Sequence, residues 1–430
     1  ARHDLVTRPI MGWWTRKMAV QPVVRKAELL RGGCSEEEAT LLNGRSLITL
    51  ASGISHGYGC VLFPEGTSHN NAYMLRFRTG PMRTVLAASA LAMSTDRALP
   101  VLIPIGLHFR TREYFRTDVW VEFGDPIQVQ ENDIPQSLID SVSTGSWSEP
   151  PAESVYKLRD KLREELVPLS PNTHNWEEYR GLLLLGHING RLNNNQPRTW
   201  REEVEAARKF RDQFTKGSEI VDVDDLQPPK ISNSLLTKSE LGAEILHRNG
   251  LDGRDLSHGM NKLSAPRVSK APLAVVRLLL FTCLLPVFTL ALLPQVILGR
   301  VLGDSTDEGI DARTSYQFLA AMFGSITVWP ISSTILVGLL YWQNDLILDL
   351  VGKDWTQSFG NSSLEIGFAI FMMWLLMFPI SLLTGRLFSL VWDDYVDARG
   401  FYRKLTMSSK DKEELFKHLA EIKRDLSMPD

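Results

Sequence analysis

Residues 61–70, VLFPEGTSHN, bring a carboxylate, a glycine and two hydroxyls together directly after a short apolar run. The run is typical of a buried strand that ends at Pro64, because proline has no N–H to donate to a sheet. Glu65 would then stand at the strand's carboxyl end, where open α/β sheets bind ligands, and Gly66 allows a close approach. The alternative is an ordinary exit from a strand into a loop.

Two further stretches carry residues suited to a phosphorylated substrate. The first, RPIMGWWTRKMAVQPVVR, spans residues 8–25 and ends at Arg25, whose planar, permanently charged guanidinium matches a phosphate monoester. The second, VLIPIG, spans residues 101–106 and contains Pro104 at the end of a predicted strand. Taken alone, Arg25 would be a solvated surface arginine and Pro104 a strand terminator.

Together the three stretches resemble, in order, the second, third and fourth motifs of the glycerophospholipid (PlsC-like) acyltransferases. FPEGTSH resembles the third motif, the stretch ending at Arg25 the second, and VLIPIG the fourth. The Ser-His after Thr67 and the FRTGPMR that follows are most similar to fungal-type membrane glycerol-3-phosphate acyltransferases. The motifs cover residues 8 to about 130. His69, inside the third motif, either contacts substrate or caps the segment that follows.

The resemblance implies an O-acyltransferase of phospholipid biosynthesis that uses acyl-CoA as co-substrate, with no cofactor and no metal. Glycerol 3-phosphate is the implied acceptor, and lysophosphatidate and dihydroxyacetone phosphate remain open. Glu65 and Gly66 would help to hold the glycerol backbone and phosphate, and Pro104 would lie by the acyl-CoA. The implied substrate-binding residues are Arg25, Phe63, Pro64, Glu65, Gly66, Thr67, Ser68 and Pro104.

The family's first motif, His-x-x-x-x-Asp, supplies the base for the acceptor hydroxyl and is expected upstream of Arg25. His3 does not serve, because Arg8 stands five residues later. HRNGLD (His247–Asp252) and HFRTRE (His108–Glu113) have similar spacing but lie downstream, and about one such pair is expected by chance. We therefore expect an N-terminally truncated domain that is inactive alone. The competing interpretation is a pseudo-acyltransferase that binds lipid or partners, and the coding sequence upstream would separate the two.

An α/β unit would position these motifs. A strand at Gly59–Phe63, a helix over residues 82–94 (MRTVLAASALAMS) and a strand at Val101–Ile105 predict a mostly parallel sheet flanked by helices. VWVEFGDPIQV, residues 119–129, predicts an extended segment with a Gly-Asp-Pro turn. We predict an acyltransferase domain over residues 1–130, a helical region and polar linker over 131–270, a transmembrane region over 271–392 and a cytosolic amphipathic tail over 393–430.

Beyond the sheet, the pattern is helical and amphipathic in VYKLRDKLREELV (155–167) and WREEVEAARKFRDQF (200–214). Residues 216–270 are rich in Ser, Asp, Lys, Gly and Pro, which indicates a linker. The tail SSKDKEELFKHLAEIKRDL predicts a docked or surface helix with N-cap serines. Its narrow apolar stripe consists of Leu415, Leu419, Ile422 and Leu426.

Charge is unevenly distributed along the 430 residues. Residues 1–120 hold 15 Lys/Arg and 9 Asp/Glu, a net +6, which leaves −9 for the rest because the whole chain carries −3. A basic unit favours anionic substrates or an anionic membrane surface. Nucleic acid is not expected as a partner, because no interleaving of aromatic and basic residues or zinc spacing is present. The three cysteines (Cys34, Cys60 and Cys283) form no disulfide or metal pattern and indicate a reducing, cytosol-facing environment.

Three long uncharged runs follow at Leu278–Leu298, Thr314–Asn344 and Ile366–Gly385. Each is long enough to cross a ~30 Å hydrocarbon core as a helix. The middle run is too long for one straight span and contains Pro330, so a kink, a tilt or a fold back is expected. Basic residues flank the whole set on both sides, which leaves the orientation open. We expect an integral membrane protein of the endoplasmic reticulum whose acyltransferase domain faces the cytosol and which contacts the lipid bilayer.

Overall fold

The computed structural model describes residues 9–24, 35–67, 69–111, 115–216, 227–265, 270–305, 310–342 and 362–427. These residues form two units that interleave along the chain. The first unit draws on Ala1–His108, Val119–Leu182 and Thr199–Thr237. The second draws on Phe109–Asp118, Leu183–Arg198 and Lys238–Asp430.

Helices make up most of the first unit. They are α1 (Pro9–Lys17), α2 (Glu36–Ser55), α3 (Gly80–Ser94), α4 (Gln136–Ser143), α5 (Ala152–Leu166), the first turns of α6 (Trp176–Leu192) and α7 (Trp200–Phe214). Reciprocal capping boxes start α2, with Ser35 and Glu38, and α7, with Thr199 and Glu202. Each box satisfies backbone N–H groups that the first helical turn leaves without partners.

Helix α3 lies at the centre of the first unit's core. Its alanine-rich sequence favours a helix, and Pro81 in the first turn suits the helix start. Met82 and Leu86 are almost completely buried, as are most of its other residues, because apolar side chains surround the helix on all sides. One face of α5, the amphipathic helix predicted from residues 155–167, packs on the same core through Val155, Leu158 and Leu162. Both helix predictions are confirmed.

The described strands pair antiparallel into a ribbon, so the predicted mostly parallel sheet is not confirmed. The strands are β1 (Val101–Leu102), β2 (Ile105–Phe109), β3 (Val119–Phe123) and β4 (Ile127–Gln128). β1 pairs antiparallel with β4, and β2 pairs with β3. Backbone bonds from Gly124 N to Pro104 O (2.9 Å) and from Arg110 N to Asp118 O (3.0 Å) run in the same antiparallel sense. The predicted turn at Gly124–Pro126 does not reverse the chain, because these residues only separate β3 from β4, which both run antiparallel to β1 and β2. The antiparallel return is made between Phe109 and Val119, so no crossover helix is needed.

The ribbon turns its apolar side outward. Gly106 and His108 are buried, whereas Ile105, Leu107 and Phe109 are exposed. Strand β3 shows the same alternation, with Val119, Val121 and Phe123 exposed.

The strand predicted at Gly59–Phe63 is also wrong. These residues have irregular backbone, and the side chains of Val61 (74%) and Phe63 (70%) are largely exposed. The segment bonds to its own loop, where Gly66 N donates to Phe63 O at 3.2 Å and Arg78 N donates to Pro64 O at 2.6 Å. Local turn bonds have therefore replaced the sheet bonds that the apolar run indicated.

In the second unit, part of the predicted linker is an ordered helix. Residues 217–226 lie outside the described residues, but α8 (Ser234–Arg248) follows, with Leu236, Ile245 and Leu246 buried. The polar composition of this stretch indicated a linker. Its few apolar residues nevertheless recur at helical spacing, which is the pattern that forms the helix. The docked C-terminal helix is confirmed as α13 (Ser409–Ser427), which buries Leu415, Leu419 and Ile422.

Three helices of the second unit are long and apolar enough to cross a membrane: α10 (Leu285–Asp304), α11 (Ile310–Trp342, with its apolar part at Tyr316–Leu340) and α12 (Ser363–Thr406). The predicted first run is divided, because α9 (Ala271–Cys283) ends before α10 begins with Pro286 in its first turn. The second run is one continuous helix through Pro330, not a fold back. A Cβ at Gly299 of α10 would lie 2.7 Å from Gln317 Cα, so glycine allows α10 and α11 to pack closely.

The C-terminal half of α12 is polar and carries a series of ion pairs. Asp393 accepts two hydrogen bonds from Arg116, both at 2.8 Å, and Asp394 pairs with Arg277 of α9 at 3.1 Å. Phe115 packs beside them, with its ring centroid 5.7 Å from that of Trp392.

Candidate functional site

The loop that carries FPEGTSH is held by short-range bonds that require a glycine at its centre. Gly66 has φ of +68°, in the left-handed region that favours glycine. A Cβ at Gly66 would also meet Arg78 Cγ at 3.0 Å. The bond from Arg78 N to Pro64 O closes the loop. Both backbone conformation and crowding therefore disfavour a larger residue at position 66.

Glu65 is fixed by two donors from the same segment. Its Oε1 accepts a hydrogen bond from His69 Nε2 at 2.7 Å and from Leu75 N at 2.6 Å. His69 Nδ1 accepts from Asn71 N at 3.2 Å, so the ring carries its proton on Nε2 and donates to Glu65. Both side chains are 19% exposed. His69 thus positions Glu65, a role that the sequence pattern did not predict.

The structure brings only some of the predicted site residues into one place. Pro64, Glu65 and Gly66 form the loop together, and Phe63 and Thr67 are exposed beside them. Pro104 is buried in the ribbon, where it separates β1 from β2, as expected of a strand terminator. Arg25 and Ser68 lie outside the described residues.

Three arginines meet next to this loop, and the sequence singled out none of them. Arg76 and Phe77 follow Leu75, whose N–H binds Glu65, and precede Arg78, whose N–H binds Pro64. These two residues line a pocket with Arg159 and Arg163 of α5. The arginines on α5 are spaced i and i+4, on one side of the helix, a pattern usually seen on a solvated polar face.

A second charged cluster joins the ribbon to α7. His108 Nε2 donates to Glu122 Oε2 at 2.9 Å, and Arg208 makes a two-pronged contact with the same carboxylate at 2.8 and 2.6 Å. The His108 ring stacks on Trp120 with centroids 4.8 Å apart. Trp200 Nε1 donates to His108 O at 3.0 Å. The cluster thus fixes β2 and β3 to α7.

Burial and charge shift both titrating groups of this cluster. Burial lowers the pKa of His108 below its ordinary value of 6.5, although Glu122 opposes the shift. Burial acts to raise the pKa of Glu122, but the hydrogen bonds and charge of Arg208, together with His108, outweigh it and lower that pKa. The folded chain therefore favours a neutral His108 and an ionised Glu122.

Acid should destabilise the first unit through these two groups. Below about pH 6.5 the unfolded histidine binds a proton that the folded one resists, so stability falls as pH drops below that value. The contribution of Glu122 is present above about pH 4.5 and is lost as pH falls through its lowered folded pKa. We expect His108→Gln to reduce the decrease in melting temperature between pH 7.5 and 5.5. His258→Gln, at an exposed histidine, is the control, and an equal effect of both would contradict this prediction.

The two downstream stretches with His-x-x-x-x-acid spacing, HRNGLD and HFRTRE, contribute residues to structural contacts. Asp252 caps the turn after it by accepting from Arg254 N at 2.9 Å and pairs with Arg254 Nη2 at 2.7 Å. Glu113 lies outside the described residues, and His108 pairs with Glu122 instead. Within the ranges that the structure describes, no three His, Cys, Asp or Glu side chains are grouped to hold a metal ion.

One region of the chain has known relatives. It contains the Glu65 loop, Arg76, Arg78, β1 and the first residues of β2. Residues 1–107 match a family model described as Acyltransferase. Over these residues the chain is similar to acyltransferase domains. The chain is also similar to Glycerol-3-phosphate O-acyltransferase 2 of Saccharomyces cerevisiae, with 27% identity over 151 residues.

That alignment covers 35% of this chain and 19% of the yeast protein. No solved structure matches the chain. The family match includes Glu65, Gly66 and Pro104. Arg159, Arg163 and the Glu122–Arg208 contact lie beyond its last residue, so these features are properties of this chain and not of the matched region.

Proposed function

We propose that the protein is a membrane-bound O-acyltransferase that transfers a fatty acyl group from acyl-CoA to glycerol 3-phosphate. The observation that supports this proposal most is the Glu65 loop inside the acyltransferase match, where His69 and the Leu75 N–H hold the carboxylate in a fixed place. A carboxylate has lone pairs on two oxygens, so Glu65 can accept from a substrate hydroxyl while Oε1 keeps both internal bonds.

In the proposed reaction, an acceptor hydroxyl oxygen attacks the thioester carbonyl carbon. A C–O ester bond forms, the C–S bond breaks, and the sulfur leaves as the thiol of CoA. The hydroxyl proton passes to a base, which the family resemblance assigns to the His of a His-x-x-x-x-Asp motif, and then to the departing thiolate. Acyl-CoA is the only co-substrate that this chemistry needs.

The residues of this chain would bind and orient the acceptor. Arg25 would contact the phosphate, Glu65 and Gly66 the glycerol backbone, and Thr67 and Ser68 would donate from their hydroxyls. Pro104 would lie by the acyl-CoA. A fixed acceptor lowers the entropy cost of bringing the hydroxyl to the thioester, which is a large part of catalysis in a two-substrate reaction.

The three apolar helices support a membrane location, where the acylated product would remain. In the proposal, the membrane is that of the endoplasmic reticulum, and the acyltransferase domain faces the cytosol. This arrangement would give the site access to water-soluble acyl-CoA and glycerol 3-phosphate.

Incorporation of radiolabelled acyl-CoA tests the proposal directly. Membranes that contain the natural gene product should acylate glycerol 3-phosphate faster than lysophosphatidate or dihydroxyacetone phosphate. A preference for either of the other acceptors would keep the acyltransferase activity but change the substrate. Lipid product from none of the three would refute the proposed activity and support a binding role.

A further inference from the structure

The pocket beside the Glu65 loop is lined mainly by positive charge. Three of its four lining residues are arginines: Arg76, Arg159 and Arg163. The fourth, Phe77, is 4% exposed. The Arg163 guanidinium lies over its ring, 5.7 Å from the centroid. This cation–π contact holds one guanidinium at the pocket instead of leaving it free to turn into solvent.

The positive charges of the neighbouring arginines repel one another, and a bound anion would reduce this repulsion. Burial lowers the pKa of Arg163, and the adjacent charge of Arg159 lowers it further, whereas Asp160 and Glu65 raise it. Arg159 is only 14% exposed, and it also contacts Asp160 at 2.7 Å and the Tyr156 ring at 4.8 Å. Asp160 is 41% exposed and its charge is therefore well screened, so the nearby acidic groups compensate only in part.

Backbone bonds also tie the pocket to the Glu65 loop. Leu75 N donates to Glu65 and Arg78 N donates to Pro64 O, and Arg76 and Phe77 are the two residues between these anchors. A ligand that contacts Glu65 therefore lies close to the backbone that carries Arg76. The contribution of α5 is independent of the motif, because Arg159 and Arg163 lie more than 50 residues beyond the end of the family match.

We propose that Arg76, Arg159 and Arg163 form a binding site for a phosphate group, in which α5 supplies two of the three cations. Guanidinium groups suit this ligand, because their paired N–H donors match two phosphate oxygens at once. The phosphate belongs either to the glycerol phosphate acceptor or to CoA. The identity of that substrate rests on the proposed function, but the ability of the pocket to bind phosphate does not.

Titration calorimetry on the purified natural gene product tests the site. The probes are inorganic phosphate, glycerol 3-phosphate and CoA, each titrated into wild type, Arg159→Gln and Arg163→Gln. Each substitution should weaken binding of inorganic phosphate about tenfold or more, because each removes a charge-assisted hydrogen bond. Arg163→Lys keeps the charge but loses the fork, so it should recover part of the affinity.

The substrate probes distinguish the two sources of phosphate. A loss for glycerol 3-phosphate alone assigns the pocket to the acceptor, and a loss for CoA alone assigns it to the acyl donor. Arg201→Gln, at a 65%-exposed arginine paired with Glu205, is the matched control and should change neither affinity. Melting temperatures measured in parallel show that the variants are folded.

Two results would overturn the inference. One is a wild-type protein that binds none of the three probes, and the other is unchanged affinity for all three in folded Arg159→Gln and Arg163→Gln. Acyl transfer is not the readout, so an inactive protein that loses phosphate binding in these variants would refute the proposed function and keep the phosphate site.

Discussion

Glu65→Gln is expected to reduce acyl transfer about 10- to 100-fold while leaving the fold intact, because it removes a charge-assisted hydrogen bond to the acceptor. The amide oxygen of glutamine can still accept from His69 Nε2 and Leu75 N, so both internal bonds of the loop remain. What changes is the charge that faces the substrate. Acylation rates and the melting temperature, both measured on the natural gene product, are the two readouts.

Two further variants separate a substrate contact from a structural role. Glu65→Ala removes the acceptor of both internal bonds, so it should lower the melting temperature as well as the activity. Glu153→Gln, at an exposed carboxylate on α5, should change neither. Normal turnover and normal acceptor affinity in Glu65→Gln would show that Glu65 serves only to shape its loop.

Leu419→Ala is expected to destabilise the second unit by about 2–5 kcal/mol, the usual range for truncating a fully buried leucine. Leu419 is 1% exposed and belongs to the stripe by which α13 docks, between Leu415 and Ile422. The lost methyl groups would leave a cavity that neighbouring side chains fill only in part. Thermal unfolding in detergent should show the decrease in melting temperature.

Leu426→Ala is the matched control on the same helix. Leu426 belongs to the same predicted stripe but is only half-buried, near the helix end. It should cost much less than Leu419→Ala, since less apolar area leaves the core. Equal costs for the two variants would mean that α13 is not docked along this stripe in solution.

The elements that sequence predicted best are those whose stability depends on local pattern. Helix α3 was predicted because alanine-rich segments favour helices in almost any surroundings, and α13 because its apolar stripe has helical spacing. The ribbon was predicted as strands but not as a pair, because alternation defines a strand and leaves its partner and direction open. Its polar side faces inward, around His108, which reverses the usual pattern.

Some residues of the candidate site were likewise visible from the sequence, and others only from the structure. The residue types of the Glu65 loop were visible as a motif, but the bond from Leu75 N to Glu65 joins residues ten positions apart and has no sequence signature. Arg159 and Arg163 were missed because arginines on an amphipathic helix usually face water. Only the packing of α5 against Phe77 shows that they converge on a pocket.

The length of α12 has a mechanical consequence. Its 44 residues make a rod of about 66 Å, roughly twice the ~30 Å thickness of a hydrocarbon core. If its apolar part, Ile366–Gly385, crosses the bilayer, the remainder stands in water as a rigid strut. Asp393 then lies roughly 12 Å beyond the apolar part, at a height set by helix geometry alone. Both side chains of the Asp393–Arg116 ion pair are about half exposed, so added salt should weaken this contact between Arg116 and α12. The apolar part of α12 in the membrane should be unaffected by salt.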